Sequence, residues 1–133
     1  MSYHLYSGDY YPPFPVAEIR LGTPGKETIL GPLEALIDTG ADATLIPLVY
    51  LNQVNAEEVD QAGMRSQWGE RRVVSIYSVA LEVDNHHFSV MWVVGDELGS
   101  EIVLGRNVLN RLRLLLDGPA GLVEVWETGG RPM

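Results

Sequence analysis

Short apolar runs, each ending at turn-forming residues, recur along the whole chain and restrict the fold that it can adopt. Runs of this length that are rich in valine, isoleucine and leucine are typical of β-strands, because packed helices need longer patterns. The predicted strands cover residues 16–21, 34–37, 57–65, 71–83, 88–94, 102–104, 112–116 and 122–126. A chain with so many short strands is expected to be mostly β.

Two short segments have helical character. Pro47 fits the first turn of a helix that continues to about Val54, because its fixed φ suits that position. Residues 106–111 place their apolar side chains on one side, which predicts a second helix. Both helices are short, so they do not change the expected fold class.

The ends of the chain differ from its middle. Residues 1–15 are rich in tyrosine and proline, which predicts an extended arm. Residues 16–126 are expected to form one domain, and residues 127–133 a C-terminal tail. His86 and His87 follow Asp84 in a predicted hairpin turn, where neighbouring side chains point to opposite faces, so a solvated turn is favoured over a metal site.

Composition excludes several classes of function. The 133-residue chain has a net charge of −9 and no basic stripe, which argues against nucleic acid as a partner. It has no cysteine, so disulfides, thiolate catalysis and cysteine-bound zinc are excluded. We find no signal-peptide pattern and no apolar stretch long enough to cross a membrane, and we expect a soluble, cytoplasmic protein.

Asp38 is the most distinctive acidic residue. It follows the apolar residues 35–37 and precedes Thr39 and Gly40, so its carboxylate is expected to be held rigidly where a buried strand meets a turn. Asp and Gly are also common in ordinary polar turns, and the tripeptide alone favours that interpretation. An apolar triplet leading into a glycine-containing turn occurs at 36–40 and again at 102–105.

The chain resembles the retropepsin family of retroviral-type aspartic peptidases at two segments. These are residues 35–44, with sequence ALIDTGADAT, and residues 102–109, with sequence IVLGRNVL. They occur in the family's order, with room for a flap between them, and the resemblance extends loosely from Val16 to Trp126. It implies a closed or partly open β-barrel subunit with one or two short helices and a β-hairpin flap.

The resemblance also implies roles for the residues around Asp38. Asp38 would be the catalytic carboxylate, Thr39 would lock the paired loops of two subunits, and Gly40 would contact the substrate backbone. Ala41 and Asp42 would belong to the substrate site.

A second group of residues would support the site from below. Gly105, Arg106 and Asn107 would open a helix beneath it, with Arg106 in a structural ion pair with Asp42. No metal or organic cofactor is implied.

Peptide hydrolysis by carboxylates needs one ionised group to accept a proton from water and one neutral group to polarise the carbonyl. One aspartate cannot do both, and the chain has one Asp-Thr-Gly segment. Two-fold symmetry is the simplest source of the second carboxylate, which predicts a homodimer.

Residues 61–73 are expected to form the flap over a bound peptide. Its predicted substrate-binding tip consists of Ser66, Gln67, Trp68 and Gly69. Retropepsin flaps usually have several glycines there, and this tip departs from that pattern. Trp68 either contacts substrate or packs on the base of the flap, and both interpretations stay open.

The function that we predict is an aspartic endopeptidase that acts on peptide or protein substrates. One alternative is a non-catalytic dimeric peptide-binding module on the same fold, which the glycine-poor flap tip motivates. Another is self-processing, with the tyrosine- and proline-rich arm as the target.

Overall fold

The computed structural model describes residues 2–65 and 69–126. In chain order, the elements within these residues are β1 (Ser2–Leu5), β2 (Val16–Gly22), β3 (Leu30–Ile37), β4 (Leu45–Pro47), α1 (Leu48–Gln53), β5 (Glu57–Arg65), β6 (Arg71–Val83), β7 (His86–Asp96), β8 (Ile102–Leu104), α2 (Arg106–Leu109), β9 (Arg113–Asp117) and β10 (Leu122–Trp126).

Six strands form a closed barrel. They neighbour each other in the order β2-β3-β8-β4-β7-β6, and β6 pairs back with β2 to close the ring. β5 lies outside this ring and pairs with β6. The all-β prediction is confirmed. In the described residues, no helix has the length and apolar content that crossing a bilayer requires.

The core fills the barrel because apolar side chains alternate along its strands. Ile19 and Leu21 of β2, Val83 of β6 and Val93 of β7 are all fully buried, at spacings that place them on one face of each strand. Leu104, the last residue of β8, is also fully buried and lies opposite Ile37, the last residue of β3. The core thereby fixes the two strand ends that carry the predicted site.

The two apolar triplets noticed in the sequence lie side by side. β3 and β8 are parallel neighbours, and Ile37 is opposite Leu104. The glycine-containing turns that follow the two strands therefore meet at one edge of the barrel, as the carboxyl ends of parallel strands do.

A separate three-stranded sheet contains both ends of the described chain. Its order is β1-β10-β9, with antiparallel pairing from Ser2 opposite Val125 to Leu5 opposite Leu122. Sequence analysis predicts an extended arm at the N-terminus, and the structure shows that part of this arm is a paired strand. The pairing partner lies more than a hundred residues away along the chain, so local sequence gives no sign of it.

Two side-chain contacts fasten the arm to the barrel. His4 of β1 and Asp84, in the turn between β6 and β7, approach to 2.5 Å between Nε2 and Oδ1. The Tyr10 hydroxyl donates a hydrogen bond to the Glu101 carboxylate, which raises the pKa of Tyr10 to about 12 because ionisation would lose this bond and place a second negative charge there. The arm is thus held at both places.

The hairpin predicted at 57–65 and 71–83 is confirmed with those bounds. The helices at 47–54 and 106–111 are confirmed but are shorter, at Leu48–Gln53 and Arg106–Leu109. The placement of His86 and His87 in a turn is wrong. Both residues begin β7, because the ladder with β6 continues through them and the turn contains only Asp84 and Asn85.

Candidate active site

The backbone of Asp38 is fixed by the end of β3. The preceding residues Ala35, Leu36 and Ile37 are buried, and the Asp38 N–H donates a hydrogen bond to the Leu104 carbonyl at 3.1 Å. Asp38 is therefore the first residue beyond the core on this strand, and it is partly exposed. Such a setting holds a carboxylate in one place while leaving it accessible.

The Asp38 carboxylate also organises the loop that follows it. Its Oδ1 accepts a hydrogen bond from the Gly40 N–H at 2.9 Å. The backbone carbonyl of Asp38 accepts another from the Ala41 N–H at 3.1 Å. A Cβ atom at position 40 would lie 3.2 Å from Oδ1, which is a tight contact. Glycine at position 40 therefore lets the loop close around the carboxylate, while Thr39 and Gly40 themselves are exposed.

Arg106 holds the far side of this loop. Its backbone N–H donates to the Ala41 carbonyl at 2.8 Å, and its Nη1 donates to the Thr39 carbonyl at 3.1 Å. Its Nη2 pairs with Oδ1 of Asp42, as the resemblance implies, so the predicted ion pair is confirmed. Exposed ion pairs contribute little stability, so we assign Arg106 chiefly to positioning the Thr39 and Ala41 backbone.

The fully buried Thr44 joins the segment that follows Asp38 to the segment that begins at Gly105. The Thr44 hydroxyl accepts a hydrogen bond from the Gly105 N–H at 3.0 Å and donates one to Oδ1 of Asn107 at 2.8 Å. Asn107 Oδ1 also accepts from the Thr44 N–H at 3.0 Å, and its amide group donates to the Trp92 carbonyl at 2.8 Å. This network ties the residue before β4, β7 and the start of α2 together.

At Gly105, the segment after β8 passes very close to the backbone of Ala43. A Cβ atom added there would lie 2.3 Å from the Ala43 carbonyl oxygen and 2.4 Å from its carbonyl carbon. Both of these are backbone atoms, which cannot rotate away. The sequence motif thus needs glycine at position 105 for a steric reason that is visible only in the fold.

Thr44→Val is expected to destabilise the protein by about 1–3 kcal/mol. Valine keeps the shape of the side chain but leaves the buried Gly105 N–H without its acceptor, which costs the desolvation of that group. Chemical denaturation monitored by circular dichroism measures the change. Thr28→Val is the matched control, because the Thr28 hydroxyl is partly exposed and its bond to Glu82 is long, at 3.4 Å. An equal loss in both variants would contradict this role of Thr44.

A cavity of about 340 Å³ lies between the β5–β6 hairpin and the barrel. Met64, Val73, Val94 and Leu98 supply apolar surface, and residues such as Arg72 add charge. Asp38 is not among the lining residues, so the cavity does not include the predicted catalytic carboxylate.

The other predicted substrate-binding residues are placed as follows. Ala41 and Asp42 lie in the loop after Asp38, and Gly69 lies two residues before β6 with φ of 83°. Ser66, Gln67 and Trp68 lie outside the described residues. Sequence analysis missed residues 94–98 as cavity lining, because a strand end followed by acidic residues gives no recognisable signal.

No curated protein sequence matches the chain significantly. Two solved structures that it resembles are both proteases. EIAV protease complexed with the inhibitor HBY-793 matches with a TM-score of 0.52 and 20% identity, covering 74% of this chain and 86% of that one. A retropepsin-like aspartic protease from Rickettsia conorii matches with a TM-score of 0.62 and 10% identity, covering 92% of this chain and 86% of that one. At these identities the likeness establishes the fold.

The family follows from a separate comparison. The model of the gag-polyprotein putative aspartyl protease family matches residues 30–111, which include the Asp38 loop, the β5–β6 hairpin and the start of α2. The match spans more than half of the chain and both of the segments on which the resemblance was based. The chain therefore belongs to the gag-polyprotein aspartyl protease family and has its retropepsin-like fold.

Proposed function

We propose that this chain is one subunit of a homodimeric aspartic endopeptidase. The observation that supports it most is the setting of Asp38, a partly exposed carboxylate fixed by a parallel strand pair and held by the Gly40 N–H. Each chain contributes one such group. A second copy, related by two-fold symmetry, supplies the partner that the chemistry requires.

In the proposed reaction, the two Asp38 carboxyls share one proton and hold a water molecule between them. The ionised carboxylate accepts a proton from the water as its oxygen attacks the peptide carbonyl carbon. The neutral carboxyl donates its proton to the carbonyl oxygen, which gives a neutral tetrahedral diol. Proton transfer to the amide nitrogen and collapse of the diol then break the C–N bond. Two close carboxyls resist double ionisation, so activity is expected under acidic to mildly acidic conditions.

The residues around Asp38 have supporting roles in this proposal. Thr39 is exposed beside Asp38, where its hydroxyl can bond across the two-fold axis, and exposed Gly40 allows a peptide backbone to approach closely. Ala41 and Asp42 continue the substrate-facing loop. Gly105, Arg106 and Asn107 position the loop without touching substrate.

The β5–β6 hairpin and the barrel would enclose the substrate between them. The cavity between the hairpin and the barrel is lined by both apolar residues, such as Met64 and Leu98, and charged residues, such as Arg72 and Glu97. Its volume suits a single large side chain of a bound peptide. We therefore assign it as a subsite of the same cleft.

Dilution tests the shared site. Well below the dimer dissociation constant, the dimer fraction falls in proportion to concentration, so tenfold dilution is expected to lower the specific activity on a peptide library by about tenfold. Sedimentation equilibrium over the same range measures the dimer fraction independently. A flat specific activity across a range in which the protein becomes monomeric would contradict the proposal. Binding of a transition-state mimic without any cleavage would favour the non-catalytic peptide-binding module instead.

A further inference from the structure

In the part of the chain that the structure describes, the outer edge of β9 is unpaired. β9 pairs with β10 over five consecutive residues without a register shift, and among the described residues no strand pairs with its other edge. Natural edge strands usually have a proline, a bulge or charges that block further pairing. β9 has the sequence Arg-Leu-Leu-Leu-Asp, with no charge at its three central positions.

The open edge of β5 shows the contrast within the same molecule. β5 contains Glu57, Glu58 and Asp60, and its ladder with β6 has an irregularity between Glu58 and Asp60. Both features discourage a further strand. The edge of β5 thus has features that discourage pairing, and the edge of β9 lacks them. The side chains of Leu115 and Leu116, on opposite faces of β9, are 45% and 42% exposed.

The sequence of β9 is complementary to itself in one antiparallel register. Residues that are paired across antiparallel strands face the same side of the sheet. When a two-fold axis relates two identical strands, the axis must therefore pass through a pair made of one residue and its own copy. With the axis at Leu115, all five residues find partners. Arg113 then lies opposite the partner's Asp117, and Leu114 lies opposite the partner's Leu116. An axis at Leu114 or Leu116 leaves the charges without this pairing.

Among residues 2–65 and 69–126, no ion pair involves Arg113 or Asp117. They lie at opposite ends of β9, about 13 Å apart at the usual rise per residue. On the β10 side they are opposite Trp126 and Leu122, which are apolar. Asp117 Oδ1 accepts a hydrogen bond from the Ala120 N–H, which leaves its negative charge in place.

β9 is also close to the site along the chain. It follows α2 after three residues, and the first residue of α2, Arg106, bonds directly to the Thr39 carbonyl. Along the chain, β9 is thus separated from a residue that contacts the Asp38 loop only by the rest of α2 and three further residues.

We infer that two copies of this chain join through antiparallel pairing of β9 with β9, centred on Leu115, with two ion pairs between Arg113 and the partner's Asp117. The result is a continuous six-stranded sheet in the order β1-β10-β9-β9-β10-β1. This inference rests on the proposed function, because the shared active site requires the second copy, and it names the surface that supplies it.

Charge reversal in trans tests the register. Arg113→Glu alone and Asp117→Arg alone each place like charges opposite each other twice, and each is expected to weaken the dimer by about tenfold or more. An equal mixture of the two variants restores both opposite-charge pairs in the mixed dimer. Sedimentation equilibrium is expected to give a mixed-dimer dissociation constant within about threefold of the unmodified protein's. Recovery in the mixture also shows that both variants fold. A mixture no tighter than its components overturns the inference.

A cysteine placed at the axis gives a second test. The chain has no cysteine, so in Leu115→Cys a disulfide can form only between two copies of position 115. The paired Cα separation in an antiparallel ladder, about 4.5–5.5 Å, is within disulfide range. Glu124→Cys is the matched control, since Glu124 is opposite Leu115 on β10 and would be separated from its copy by three strand spacings. Rapid cross-linking is expected for Leu115→Cys alone, and equal cross-linking of both variants overturns the inference.

These outcomes separate the interface from the activity, since neither readout needs turnover. A wild-type dimer that β9 substitutions leave unchanged overturns the inference and leaves the proposed peptidase standing. A dimer that responds as expected but cleaves no peptide supports the inference and contradicts the proposed function. A protein that is monomeric at every concentration overturns both.

Discussion

Asp38→Asn is expected to lower kcat/KM for peptide hydrolysis about a thousandfold or more. Asparagine has nearly the same shape, and its amide oxygen can still accept the Gly40 N–H, so the loop is kept. It cannot accept a proton from water, and in the dimer both general acid–base groups are lost together, each of which typically contributes a factor of about 10²–10⁴. Cleavage of a peptide selected from a library measures the loss.

Asp9→Asn is the matched control, because Asp9 is an exposed carboxylate in the arm. It is expected to retain the activity of the unmodified protein. If Asp38→Asn also retained it, Asp38 would not be the catalytic group and the proposed mechanism would be wrong.

Mixing Asp38→Asn with an equal amount of the unmodified protein extends this test. Random exchange places half of the unmodified subunits in mixed dimers, which have one carboxyl and lack the dyad. Activity per unmodified subunit is therefore expected to fall to about half at concentrations where all chains are dimeric. Undiminished activity after demonstrated subunit exchange would show that each chain acts alone.

Gly105→Ala is the second change with a large expected effect, in this case on stability. The added Cβ would lie 2.3 Å from the Ala43 carbonyl oxygen, so the strand ends beneath Asp38 must separate. Overpacking of this kind typically costs about 1–3 kcal/mol, and contact with backbone places this case at the upper end. We expect a decrease of about 3 kcal/mol in the free energy of unfolding, measured by chemical denaturation, or failure to fold.

Gly118→Ala controls for the loss of glycine itself. Gly118 lies in the turn between β9 and β10, and a Cβ atom there would meet nothing within 4 Å. Its stability is expected to stay within about 0.5 kcal/mol of the unmodified protein. An equal loss for both alanine variants would contradict the steric role assigned to position 105.

Sequence reasoning predicted the parts of this fold that depend on local patterns. The hairpin strands Glu57–Arg65 and Arg71–Val83 were predicted with the observed bounds, because residues 66–70 separate two strand candidates in the sequence. The Arg106–Asp42 ion pair followed from the resemblance of two motifs and is present.

Features that depend on distant parts of the chain were not predictable in the same way. Ser2–Leu5 is a strand because it pairs with β10, and its own four residues do not show this. The buried role of Thr44 is similar, since a β-prone threonine after the site motif does not indicate that Gly105 will need its hydroxyl. Both depend on contacts between segments that are far apart in the chain.

The β5–β6 hairpin extends beyond the barrel that supports it. β6 pairs with β7 only from Ile76 onward, so residues 71–75 are bonded to 61–65 alone. Bending at Ser75 therefore breaks no hydrogen bond of the barrel ladder, and an isolated two-stranded ribbon has little rigidity of its own. The ribbon supplies Met64, Arg72 and Val73 to the cavity wall. We therefore expect the hairpin to bend at nearly constant global stability, which in the proposed peptidase would uncouple substrate admission from unfolding.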